Sequence, residues 1–380
     1  MNCVDGSERS PAAARRAFCM ALAALGLSNW PARAMAAAAF SWADAKRRVD
    51  AAAQPSTHWG GPQTGPAAQA HKSIALYASD LRNGGVLGVA EGIREAAHVM
   101  GWSVRVFHSD GSDATEHAMV ASVIASAPDG LAVVGSDHHA LEAQLQPYAA
   151  SGRPVIGWHA APQPGPIADS AIFLNVSTDP FEVAQVTALA AMLPTHGRAG
   201  VVVFTDKRFE IARVKADKMA EVVRECGGTV LDLLDISLSG APQLMPQTVR
   251  ALAAKYGVRW THALAINDIY FDYAVPELVS LGWPGDRLNM LSAGDGSASA
   301  LLRILAGSFQ TSTVAEPLNL HGWQIVDELN RRFAGQAPSN YVAPVHLVTQ
   351  ANLGADGGSR LMYDPGNGYR SAYSRIWGRS

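Results

Sequence analysis

From residue 73 onward the chain alternates short apolar runs with longer segments of helical spacing. The runs at 73–78, 103–108, 131–134, 155–158 and 172–176 are bounded by Gly, Asp or Asn and predict buried strands. Between them, 90–100, 115–126 and 140–150 carry Ala, Glu and Leu at helical intervals, with Gly101 and Gly152 as stop signals. The alternation then repeats. Strands are predicted at 200–205, 229–236, 262–266, 289–292 and 310–314, and helices at 211–225, 247–256, 270–281, 298–306 and 320–333. A last strand, 345–349, precedes a Gly/Asp-rich tail. Strands that are apolar nearly throughout need both faces of their sheet covered, so each set predicts a parallel sheet between helices. Two such sets predict two similar α/β lobes.

The first 71 residues break this pattern. Arg15 and Arg16 precede an uncharged apolar run from 17 to 27, and small residues follow, ending in Ala34-Met35-Ala36. That order predicts a cleavable export signal over 1–36, and the paired arginines suggest a twin-arginine route. The run is too short for a membrane span, which needs ~20 residues. Residues 37–71 predict an extended lead-in with one helix near 42–53, pinned to the body by Trp42 and Trp59.

Composition narrows the class. Of 380 residues, 48% are hydrophobic and 17% charged, as in a protein with substantial cores. The net charge is −3 and no basic stripe runs along any segment, which argues against a nucleic-acid partner. Cleavage after Ala36 would remove four arginines against two acids, making the chain more negative by two charges. It would also remove Cys3 and Cys19, leaving Cys226 with no internal disulfide partner. No G-x-S-x-G, Walker A or H-E-x-x-H motif is present, so the reading is not an enzyme, with no cofactor and no metal.

In open α/β sheets, ligands lie at the carboxyl ends of the strands. Here those ends carry Ser79, Asp80, Arg82 and Asn83, then His108 and Asp110, then Ser136, Asp137, His138 and His139, then His159. The second half adds Thr205-Asp206, Asn267-Asp268, Gly294-Asp295-Gly296 and Glu316. Hydroxyls, amides and carboxylates with few lysines suit a polyol, whose hydroxyls both donate and accept. Taken singly, each Asp or Asn reads equally well as a helix N-cap. Arg213 could lie at the surface or reach the ligand, and Trp158 could be a stacking surface or a core residue.

The order Ser79-x-x-x-Asn83, Asn267-Asp268, Ser292-Ala293-Gly294-Asp295-Gly296 and Thr313-Val314-Ala315-Glu316-Pro317 resembles the ribose-type periplasmic binding proteins of ABC importers. The resemblance covers about residues 72–350. It implies a type I periplasmic binding protein fold, with two Rossmann-like lobes joined by three crossover strands near 177–178, 316 and 336–341. It divides the chain into an N-terminal lobe, 72–177 plus 317–338, and a C-terminal lobe, 178–316 plus 339–380. By resemblance Ser79, Asn83, Arg213, Asn267 and Asp295 match ligand-contacting positions, and Glu316 stands where the family usually has Gln. Asp137, Trp158 and His159 join them as candidates from their strand ends.

The departures are specific. Two ring-sandwiching phenylalanines are replaced by Gly85 and Val86, an Asp-Arg pair by His159-Ala160, and an Asn by Gly135. The ligand implied is a sugar or another small polar molecule, not ribose itself, captured by hinge closure. The resemblance implies a monomer in the periplasm that hands its ligand to a membrane ABC permease.

Three alternatives compete. A periplasmic sensor would use the same binding step to address a membrane receptor. An exported nicotinamide-dependent enzyme would use the Asn83-Gly84-Gly85-Val86-Leu87-Gly88 loop, but the glycine spacing is wrong for a dinucleotide fingerprint. A metal set of His108, Asp137, His138 and His159 has suitable ligand types without tight spacing.

Overall fold

The computed structural model describes residues 40–357 and 361–379. The expected export signal over 1–36 lies outside the described residues. The helices are α1 (Trp42–Ala52), α2 (Gly84–Met100), α3 (Asp113–Ala125), α4 (His138–Ala150), α5 (Pro180–Met192) and α6 (Glu210–Glu225). They continue as α7 (Ala241–Tyr256), α8 (Ile269–Ser280), α9 (Ala298–Ala306), α10 (Leu318–Phe333), α11 (Leu353–Asp356) and α12 (Tyr369–Trp377). The first sheet contains β1 (Ser73–Ala78), β2 (Ser103–His108), β3 (Gly130–Val134), β4 (Val155–Trp158), β5 (Gly165–Pro166) and β6 (Leu174–Val176). The second contains β7 (Gly200–Thr205), β8 (Thr229–Asp235), β9 (His262–Ala265), β10 (Asn289–Ser292), β11 (Gln310–Ala315) and β12 (His346–Thr349).

The strand orders are β2-β1-β3-β4-β6-β5 and β12-β11-β10-β9-β7-β8. All pairings are parallel except β5–β6 and β11–β12. The central strands β1, β3, β4 and β9 are buried almost throughout, as their apolar runs require, whereas the edge strand β2 has no buried residue and exposes four of its six. Both orders reverse at the first strand of their half, which opens a crevice at the carboxyl ends.

Helix starts lie earlier than the apolar periodicity suggested. The helix expected at 247–256 begins at Ala241, with Pro242 in its first turn, where a missing N–H costs nothing, and carries Pro246 further inside. Likewise α2 begins at Gly84, through glycines that gave no helical signal. Two of its neighbours explain a glycine: a Cβ at Gly92 would lie 2.5 Å from the Asn319 carbonyl, and one at Gly322 would lie 2.4 Å from Ile93 N. These contacts let α2 and α10 pack backbone against backbone, which fixes α10 to the first lobe.

The chain passes from the first lobe to the second at 177–179, returns at 316–317, and crosses again at 334–345. Two further passages were not foreseen. The lead-in starts on the second lobe, where α1 packs on α5, and then runs to the first. There Trp59 packs among Tyr341, Tyr369 and Tyr373, while the Asn330 side chain bonds Gln69 N, Pro66 O and Ala67 O. Arg331 adds a bond to Thr64 O at 2.7 Å. The tail also crosses. β12, α11 and Tyr363 pack on the second lobe, but Tyr369, Tyr373 and Trp377 of α12 enter the core of the first. The assignment of all of 339–380 to the C-terminal lobe is therefore corrected for α12. Its aromatic residues at helical spacing were the missed signal. Cys226 is buried and its thiol is pushed up to about 11 by that burial, so it is a packing residue.

Candidate functional site

The polar turns at the carboxyl ends of the two sheets face one another across one cleft. Its walls include Ser79, Asn83, Asp137, Trp158 and His159 from the first lobe, and Asn267 and Asp295 from the second. It encloses about 100 Å³, where one water needs about 10–15 Å³. That is space for a single small ring or a short polyol.

Several of these residues are caps and cleft residues at once. Asn83 Oδ1 accepts from Gly85 N at 3.0 Å to start α2, and lies 3.5 Å from Asn267 Nδ2 across the gap. Asp137 caps α4 through His139 N with one oxygen and accepts Glu210 N of the other lobe at 2.9 Å with the second. Cap and cleft-wall position, alternatives in the sequence, coincide in these residues. A carboxylate has enough lone pairs for both tasks.

The second-lobe turn is held from behind. Asp268 accepts from Gly296 N at 2.9 Å and Ser297 N at 3.0 Å with one oxygen, and from Gln310 and Ser292 with the other. These bonds present Asp295, which is 3% exposed and accepts from Asn267 Nδ2 at 2.6 Å. Burial raises the Asp295 pKa, opposed by the nearby His159 and Lys215. Across the cleft, a Cβ on Gly85 would fall 2.1 Å from Asp295 Oδ2. Gly85 is one of the positions where the resembled family has an aromatic ring, so the room vacated there is taken by the carboxylate.

Glu316 lies behind this surface, completely buried. Its Oε1 is 2.9 Å from His159 Nε2 and 3.5 Å from Lys215 Nζ. Burial pushes its carboxyl up, but His159 and Lys215 outweigh that and hold it well below the usual carboxylate range. His159 takes a left-handed backbone, φ 56°, and its ring stacks on Trp158 at 3.7 Å. The Trp158 indole N–H donates to His321 Nδ1 at 3.1 Å, which fixes that buried imidazole as an acceptor.

Arg213 is corrected. It does not line the cleft; half exposed, it stands 3.9 Å from Glu210 on the outer side of α6. The cation of α6 that does reach the cleft is Lys215, 3% exposed. It shares the buried stripe of Ile211, Ala212, Ala216 and Met219, so a lysine on the apolar face was the available signal. Arg208, Phe209 and Glu116 were also missed. Arg208 bonds Asp206 within its lobe, and Gly111 O and Asp113 at 3.2 Å across the mouth.

The metal set considered from sequence, His108, Asp137, His138 and His159, is not among the groupings that converge in the described residues. Two other groupings among the described residues have ligand atoms within 4.8 Å: His159, Asp295 and Glu316, and His138, His139 and Glu210. The first already holds the Lys215 ammonium beside Glu316, so its negative charge is met from within the protein.

Two buried histidines predict acid sensitivity. Burial lowers His262 and His321 to about 4, against 6.5 for a free imidazole. The unfolded chain therefore binds more protons between those values, and the stabilisation present above pH 6.5 is lost as pH falls towards 4. At 1.36 kcal/mol per pKa unit each group is worth up to about 3 kcal/mol. Urea midpoints measured from pH 7 to 4.5 should fall, and His321→Gln should fall less steeply. Equal slopes would show that His321 is not carried neutral.

Three comparisons bear on this geometry. The family model described as "Periplasmic binding protein domain" matches residues 74–337. No curated protein matches. Among solved structures, the chain is similar to an ABC transporter solute binding protein from Agrobacterium vitis bound with alpha-D-tagatopyranose, at TM-score 0.67 and 15% identity, covering 77% of this chain and 99% of that one. It is similar to a sugar ABC transporter from Yersinia enterocolitica at TM-score 0.67 and 18% identity, covering 81% and 96%. It is also similar to a Caulobacter myo-inositol binding protein bound to myo-inositol, at TM-score 0.65 and 16% identity, covering 78% and 98%.

Proposed function

The chain belongs to the periplasmic binding protein family, and from that premise we propose that it captures a sugar or similar small polyol between its lobes and delivers it to a membrane ABC permease. The observation that carries this reading is the meeting of Asn83, Asn267 and Asp295 around one cleft, donors and acceptors from both lobes at hydrogen-bonding range of a common space. A polyol bridging them is satisfied on both sides only when the lobes are closed, so binding shifts the population towards closure. Passing from 1:99 to 99:1 takes about 5.5 kcal/mol of preference. A handful of hydrogen bonds at roughly 0.5–1.5 kcal/mol each, more to a carboxylate, is enough.

The expected ligand-contacting set is Ser79, Asn83, Asp137, Trp158, His159, Asn267 and Asp295, with Glu316 holding His159 in place. The Trp158–His159 stack takes the part of the absent aromatic sandwich. The similar proteins bound to tagatopyranose and myo-inositol support a neutral ring as the ligand class. The export signal expected over 1–36 and the family together support a periplasmic location. A thermal-shift screen of the chain against sugars, polyols and small acids tests the reading. A ligand at 100 times its Kd adds about 2.7 kcal/mol of stability, well above the scatter of such a screen. Stabilisation by acids alone, with none by sugars or polyols, would reject the proposed class.

A further inference from the structure

The second metal-competent grouping differs from the first in being unsatisfied. His138 and His139 form the first turn of α4 in one lobe, and Glu210 begins α6 in the other. His138 is 9% exposed, yet neither of its ring nitrogens has a hydrogen-bond partner among the described residues; its ring lies against that of His139, at 3.9 Å between centroids. His139 Nε2 stands 3.9 Å from Glu210 Oε2, and the other Glu210 oxygen is 3.9 Å from Arg213, both beyond hydrogen-bonding distance. Three groups with free lone pairs thus converge within 4.8 Å, each next in the chain to or close behind the cleft residues Asp137 and Phe209, and none of them is among the residues assigned to the polyol.

We propose that His138, His139 and Glu210 bind one divalent transition ion of the zinc class, with water completing the shell. Two imidazoles and a carboxylate are borderline ligands that suit zinc and not calcium or magnesium. Ligands about 2.1 Å from a common ion sit roughly 3.4 Å apart in a tetrahedron, so the 3.9 Å gap closes by small rotations of the exposed His139 and Glu210. The ligands come from both lobes. The complete site therefore exists only in the closed form, and the ion holds the cleft mouth shut. By linkage, the ion and the captured solute strengthen each other's binding by the same factor; this last clause rests on the solute-capture reading.

The test uses the full chain without a histidine tag, stripped with chelator and then dialysed free of it. Calorimetry with zinc chloride alone should show one equivalent bound, and His139→Ala and Glu210→Gln should each weaken it at least tenfold. Small-angle scattering should show zinc compacting the wild type and leaving Glu210→Gln unchanged. No stoichiometric heat, or equal affinity in both variants, overturns the site; zinc binding that ignores Glu210→Gln overturns the interlobe staple. Solute binding measured in chelator should be the same in wild type and both variants. A zinc site that fails while solute binding persists, or the reverse, separates the failure of this inference from that of the capture reading.

Discussion

A chain carrying Asp295→Ala should bind its solute about ten- to 150-fold more weakly while keeping nearly the wild-type denaturation midpoint. Hydrogen bonds to a charged acceptor contribute about 1.5–3 kcal/mol, and Asp295 is the buried carboxylate facing the cleft from the second lobe. Its removal spares the fold because burial already disfavours its charge, and Asn267 keeps its second bond, to Ile269 N at 2.9 Å. Gly85→Ala supplies an independent approach to the same contact. The added methyl would stand 2.1 Å from Asp295 Oδ2, so it obstructs closure without touching the core of either lobe. Combining the two changes should restore part of the loss due to Gly85→Ala, since the obstructed carboxylate is gone. Titration calorimetry on the three variants reads this directly. If Asp295→Ala bound as tightly as the wild type, the assignment of the cleft would be wrong.

The second large effect is on stability. Lys215→Met should cost about 3–5 kcal/mol, because Glu316 is fully buried and Lys215 is the ammonium beside its Oε1. The breaking of a buried pair leaves an uncompensated charge, whereas removing both ends can be nearly neutral. Lys215→Met combined with Glu316→Gln should therefore recover much of the lost stability in urea unfolding. A double variant as unstable as Lys215→Met alone would show that the two side chains do not act as a pair.

The sheets were legible in the sequence because buried parallel strands read as short apolar runs, and strands such as β1, β2, β7 and β10 carry the expected bounds. Helix starts were not, since glycine and proline at a first turn look like loop residues. Of the site, the turns were legible because strand ends concentrate Asp, Asn and Ser. What distinguishes their roles is long-range: Asp268 and Asp295 are three-dimensional neighbours with opposite tasks, one supporting a loop and the other lining the cleft. Arg213 and Lys215 show the same limit. Both lie near the start of one helix, and only the position of Lys215 on the buried stripe marks it as the inward cation. The resemblance covers only about residues 72–350, so the lead-in and the end of the tail carried no family signal.

Those two outlying segments change the mechanics of the molecule. A pair of bodies connected by three neighbouring ribbons can swing as on a door pivot, with little to limit its travel. Here α1 is anchored on one body and Trp59 on the other, and α12 reaches back in the opposite sense. Any wide gape must stretch or unseat these outer ties, so the bonds from Asn330 and Arg331 serve as an end stop. On the capture reading, solute would enter through a narrow swing, and its escape would be slowed by the same restraint.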